Sequence, residues 1–174
     1  MRLFLALWPD AGVVEQIEVA RQQLFGGHTP GRPVRSDNLH ITLQFLGSTE
    51  ESTLACIRQA AGRIRFDAFD LALDHLGHWF RPRVVWLGCR EVPVALSSLV
   101  RDLNAGMSGC GFVPEERPFH PHLTILRKVR RQSPQEIPAI HWHVDDFVLV
   151  QSDTRPDGVQ YSVIDRWPAV KSTP

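Results

Sequence analysis

Apolar positions along the chain recur at two periods, and the switches between them mark the elements. Leu3 to Trp8 is an unbroken apolar run, the pattern of a central strand. Pro9-Asp10 then opens a helix with Asp10 as its N-cap. Val13, Ile17, Ala20 and Leu24 fall on one helical face, and Gly26-Gly27 stops it. After a turn-rich stretch through Pro30 and Pro33, His40 to Phe45 mixes polar and apolar residues as a strand does. Gly47 ends that segment. Ser48 followed by Glu51 fits a capping box, and Leu54, Ile57, Ala61 and Ile64 line a second helix.

Further on, Phe69, Leu71 and Leu73 alternate with Asp70, Ala72 and Asp74, which predicts a strand with one buried face. Val84 to Leu87 is expected to pair with it through a loop near Arg81-Pro82-Arg83. Pro93 suits a first helical turn. Leu96, Leu99, Val100, Leu103 and Met107 form a third helical face, closed by Gly106 and Gly109. His122 to Leu126 is a strand candidate, and the two-proline stretch from Gln132 to His143 is expected to be a loop. Phe147–Val150 and Val159–Ile164 form a final hairpin turning at Pro156-Asp157-Gly158. Interleaved helices and hairpins predict an α+β fold.

Composition changes this picture little. The 174 residues suffice for one domain; 43% are hydrophobic and 22% charged, an ordinary globular balance. Lys plus Arg and Asp plus Glu are equal at 19 each, so no global basic field exists for coating a long duplex. A nucleic-acid partner would be gripped at an end or over a short stretch. Three widely spaced cysteines, Cys56, Cys89 and Cys110, argue against a disulfide framework and against a structural zinc site. The first apolar run is too short for a signal peptide, and no stretch spans a membrane. A reducing cytoplasm is the expected compartment.

The chemistry lies in a weak internal repeat. Leu39-His40-Ile41-Thr42-Leu43 returns as Pro121-His122-Leu123-Thr124-Ile125. Residues two apart on a strand share a face, so each copy offers one imidazole beside one hydroxyl. Two such strands brought together supply two imidazoles and two hydroxyls to one cavity. That set suits the opening of a cyclic phosphodiester: one histidine takes a proton from water while the other gives one to the leaving oxygen. The threonines donate to non-bridging phosphate oxygens, and no metal or cofactor is required. A single His-x-Thr carries little weight; two copies in separate halves carry much more.

Longer blocks around the motifs resemble the two-histidine (2H) phosphoesterase superfamily, and within it the bacterial RNA 2′,3′-cyclic phosphodiesterases, historically called 2′-5′ RNA ligases. They are Arg2-Leu3-Phe4-Leu5-Ala6-Leu7, Asp37 to Gly47, Val84 to Gly88, Arg117 to Arg127 and the hairpin ending at Tyr161. The resemblance implies one bilobal domain over 1–174: two similar α+β lobes, each an antiparallel sheet with helices outside, and a cleft between the sheets. It implies hydrolysis of a terminal 2′,3′-cyclic phosphate to a 2′-phosphate, with His40 as proton donor and His122 as proton acceptor. Thr42, Thr124 and Arg127 would bind the phosphate. The two motifs are locally alike, so sequence chemistry alone does not divide the roles. Reversible 2′-5′ ligation, or RNA-end binding with incidental hydrolysis, is the alternative. The expected partner is an RNA with a cyclic end, met by a monomer away from membranes.

Strand parity complicates Arg127. His122, Thr124 and Leu126 share a face, so Arg127 reaches the cleft only where the strand ends or bulges; otherwise it is a solvated charge in the Arg127-Lys128-Val129-Arg130-Arg131 run. His120 with His122 would make half a metal site, but zinc wants a third ligand and none is evident. His141 and His143 are expected at the surface or in packing. Trp86 belongs to the core, and Trp79 is a candidate for contact with RNA. The basic run after Thr124 is placed to meet a phosphate backbone.

Overall fold

A computed structural model describes residues 1–156 and 158–170. Among the described residues are three α-helices and nine strands, of which the patterns predict all three helices and seven strands: β1 (Arg2–Leu7), α1 (Ala11–Phe25), β2 (Arg32–Pro33), β3 (Ile41–Ser48), α2 (Glu51–Arg63), β4 (Phe69–Trp79), β5 (Val84–Gly88), α3 (Val94–Ser108), β6 (Leu123–Arg127), β7 (Gln135–Val144), β8 (Asp146–Arg155) and β9 (Gly158–Pro168). The strands run in the order β7-β4-β5-β6-β3-β1-β8-β9, with β2 beside β6. That order is symmetric about its middle. β6 and β3 are central, β5 and β1 flank them, and two longer strands lie outside each, β4 with β7 and β8 with β9. β3 and β6 meet at one antiparallel pair, Ile41 opposite Leu123, and α2 packs on α3 across the same divide.

One face of the sheet carries the helices. Leu5, Ile41, Leu87, Leu123 and Phe147 bury against Ile17, Ile57, Leu99 and Leu103 there. Full burial of one such side chain contributes ~1.5–3 kcal/mol. In α1, Asp10 accepts from the Val13 amide at 2.9 Å. Gly26 closes the helix at φ 53°, a conformation that costs a side-chain-bearing residue. The five apolar residues predicted for the third helical face are all buried in α3.

Four expectations change. Gln132 to His143 is not a loop: Gln135–Val144 forms β7, with Ile137, Ile140, Trp142 and Val144 buried. Pro138 is tolerated because β7 is an edge strand and its ladder with β4 skips from Leu73–Ile140 to His75–Glu136, leaving the proline in the bulge. Ser48 does not cap α2. It ends β3, and Glu50 occupies the cap position with no side-chain hydrogen bond. The third correction concerns the cysteines. Cys56 of α2 and Cys110, just beyond α3, are joined as a disulfide with Cα atoms 5.8 Å apart, and Cys89 alone is free. An odd count left one pair possible, and only the packing of α2 on α3 reveals it. The final hairpin is longer than predicted, Asp146 to Pro168; Asp157 of its turn lies outside the described residues.

Candidate active site

The sheet face opposite the helices holds both motifs. Ile41 and Leu123 point into the core, so the residues on either side of each point the other way, and His40, Thr42, His122 and Thr124 are all partly exposed there. Continuing the Ile41–Leu123 register by one residue sets His40 opposite Thr124 and Thr42 opposite His122. Each imidazole thus has its own threonine beside it and the other motif's threonine across from it.

The repeat extends to hydrogen bonds. His40 Nδ1 lies 2.7 Å from the Asn38 carbonyl, and His122 Nδ1 lies 2.8 Å from the His120 carbonyl. A carbonyl only accepts, so each Nδ1 carries the hydrogen and each Nε2 is left to exchange a proton with a substrate. Both strands also bulge at the same place. Ala6 pairs with Thr42 and Leu5 with Gln44, skipping Leu43; Trp86 pairs with Thr124 and Val85 with Leu126, skipping Ile125. Each bulge buries two consecutive residues, Leu43-Gln44 and Ile125-Leu126, and returns the next one to the motif face.

That next residue on β6 is Arg127. The bulge resolves the parity problem, and the guanidinium charge bears directly on His40. The matching residue on β3 is Phe45, 59% exposed beside the motifs. Extending the sequence repeat by three residues would have paired Phe45 with Arg127; the bulges themselves leave no sequence signal.

Aromatic walls complete the site. His40 is stacked on Trp8 (centroids 5.6 Å apart), meets Tyr161 edge-on at 5.1 Å and leans on Phe4 at 4.9 Å. Burial by these rings pushes its pKa down from 6.5 to about 4, the Asn38 carbonyl opposes this, and the charges of Arg127 and His122 push it lower. His122 meets the edge of Trp79 at 4.4 Å. Burial lowers its pKa too, the His120 carbonyl and Glu115 work against that, and the His120 ring adds to it. Trp86 is buried, as predicted, but on the motif face rather than in the helix-side core. Its ring lies against His120 at 4.9 Å, and its indole N–H has no partner. It crosses β4 at Gly77, where a Cβ would sit 2.1 Å from the ring.

Other candidates lie elsewhere. His141 and His143 are exposed on β7, His143 paired with Asp70. His78 contacts the Val129 carbonyl. Among the described residues no group of three His, Cys, Asp or Glu side chains is placed to hold a metal ion, and His120 with His122 gains no third ligand. Cavities of about 440 Å³ between α1 and β7 and about 270 Å³ beside Trp8 and Asp146 hold neither motif. No described helix is long and apolar enough to cross a membrane.

The sequence model of the 2′-5′ RNA ligase superfamily matches residues 8–156. The chain is 39% identical over 168 residues to the RNA 2′,3′-cyclic phosphodiesterase of Escherichia coli, covering 95% of both chains. It is 31% identical to the Archaeoglobus fulgidus protein of the same name, over 92% of this chain and 96% of that one. The crystal structure of E. coli LigT in apo form superposes with a TM-score of 0.87 at 37% identity over 98% of each chain. Its complex with 3′-AMP gives 0.86 at 36% identity, also over 98% of each.

Proposed function

The chain belongs to the 2′-5′ RNA ligase superfamily, and on that footing we propose that it is an RNA 2′,3′-cyclic phosphodiesterase, opening the cyclic phosphate at an RNA 3′ end to a 2′-phosphate. The observation that carries the reading is the doubled site: two imidazoles with the same Nδ1-to-carbonyl anchor, set by the strand register beside the same pair of threonines.

The arrangement supports a two-histidine reaction, and the family resemblance divides the roles. His122 Nε2 takes a proton from water as the oxygen attacks phosphorus. His40 Nε2 gives a proton to the 3′ oxygen as its bond to phosphorus breaks. Thr42, Thr124 and Arg127 hold the non-bridging oxygens, and charge-assisted bonds there are worth most in the transition state. Burial among the aromatic rings favours the neutral form of His40. The substrate's own negative charge, arriving beside it, restores the proton that a donor needs. With the 5′ hydroxyl of a second RNA in place of water as the nucleophile, the same steps form a P–O5′ bond as the bond to the 3′ oxygen breaks, which accounts for 2′-5′ ligation at the same site.

Both motifs come from one chain, so a monomer is sufficient, and we read residues 1–174 as one bilobal unit. An RNA substrate supports a cytoplasmic reading. Product analysis on an RNA with a 2′,3′-cyclic end tests the reading. A terminal 2′-phosphate supports it, and a 3′-phosphate or an intact cyclic end overturns it.

A further inference from the structure

The corner of the sheet beyond Arg127 holds two side-chain-bearing residues in the left-handed region, Arg83 at φ 68° and Lys128 at φ 61°. Side-chain-bearing residues are rare there, and such conformations concentrate at functional positions. Both are exposed and basic, and they are neighbours: the Val129 amide, next to Lys128, bonds the Arg83 carbonyl at 3.1 Å. Between them, Arg127 lies opposite Val84 on one side and opposite Arg32 of β2 on the other. Directly opposed residues share a face, and like charges so placed repel.

Arg21, Arg58, Arg90, Arg101 and Arg166 each meet a carboxylate. Arg32, Arg83, Arg127 and Lys128 have no ion pair among the described residues, and Arg130 and Arg131 follow with none either. Arg2, Arg63, Arg65, Arg81, Arg117 and Arg155 also lack an ion pair among the described residues, so what sets this corner apart is that its cations adjoin one another. In a chain with equal numbers of acidic and basic residues, four adjacent uncompensated cations are a segregated patch.

We infer that Arg83 and Lys128, flanked by Arg32, form a phosphate track for the nucleotides on the 5′ side of the cyclic end, so that the preferred substrate is an oligonucleotide rather than a mononucleotide. The inference rests on the proposed function. A cyclic phosphate occupies the last nucleotide, and everything else on an RNA lies 5′ of it. The track begins one residue from Arg127, where that chain would leave the site. Contacts of this kind bind the backbone without reading sequence.

The test is the Arg83→Gly/Lys128→Gly double variant. Glycine suits both backbones, so folding is preserved while the charges are removed; Tm is expected to equal or exceed that of the parent. Hydrolysis of a mononucleoside 2′,3′-cyclic phosphate should stay within about twofold. For a ten-nucleotide RNA with a cyclic end, kcat/KM should fall on the order of tenfold at low salt, and the slope of log affinity against log salt should shrink by about 1.4. Arg83→Lys/Lys128→Arg should restore the oligonucleotide rate. Equal losses on both substrates, or no loss on the oligonucleotide, would overturn the track. If the parent opens neither substrate, the functional reading fails. The track is then judged by fluorescence anisotropy of an RNA ending in a 2′-phosphate, where unchanged binding by the double variant refutes it.

Discussion

Ile41 and Leu123 are each other's partners across the antiparallel contact between β3 and β6. Each is the middle residue of a His-x-Thr, and both are fully buried. This pair therefore sets the alignment of the two motifs, since a shift of one residue would turn one motif into the core. Leu123→Ala should cost about 2–5 kcal/mol of stability by leaving a cavity. It should lower kcat more than it raises KM, because the histidines and threonines lose their mutual positions. Thermal denaturation and steady-state kinetics check both effects.

The division of roles between the histidines is testable by changing the leaving group. A substrate with sulfur in place of the 3′ oxygen departs without protonation. His40→Ala should lose about 10²–10⁴-fold on the natural cyclic end and recover most of that on the sulfur analogue. His122→Ala should lose a similar factor on both. Rescue of His122→Ala instead would exchange the two roles.

His40 also couples stability to pH. Its folded pKa is about 4 against an ordinary 6.5, so the unfolded chain binds the proton more readily. The stabilisation is fully present above pH 6.5 and is lost progressively as pH falls to about 4, up to about 3 kcal/mol. Urea titrations across that window should show the decline, and His40→Gln should flatten it. For the same reason, phosphate binding near pH 6 should take up a proton, measurable by calorimetry in buffers of different ionisation enthalpy. Binding with no proton uptake would contradict a His40 that is neutral when free.

Trp86 lies across Gly77, and the space is already filled. Gly77→Ala puts a methyl group 2.1 Å from the indole. We expect a loss of about 1–3 kcal/mol and, because Trp86 packs on His120, whose carbonyl anchors His122, a fall in kcat. Trp86→Phe, which removes the unpartnered indole N–H, should leave activity nearer to the parent.

The disulfide lies between α2 and α3, on the face away from the motifs. Closing a loop of 54 residues, it should contribute about 4 kcal/mol by chain entropy. Reduction should lower Tm while leaving hydrolysis at 25 °C within about twofold, and Cys56→Ser should make Tm insensitive to reductant.

Much of this was legible in the sequence because period and punctuation agreed: the face of α3, the cap at Asp10 and the alternation of β4 all express local rules. The motif residues were legible because the pattern occurs twice. What stayed hidden is non-local. β7 looked like a loop because Pro138 is forbidden only where a ladder is regular. The bulge at Ile125 that turns Arg127 toward His40 is a property of pairing with β5. The wall of Phe4, Trp8 and Tyr161 is drawn from β1, the residue after it and β9, far apart in the chain.

The most direct test of a two-histidine site is single-turnover hydrolysis of a 2′,3′-cyclic RNA end in EDTA by the parent, His40→Ala, His122→Ala and the double variant. The parent should be active, and each single variant should fall about 10²–10⁴-fold. The double variant should fall little further, because the two groups act as a unit. Parent-like rates in either single variant, or loss of parent activity in EDTA, would contradict the site described.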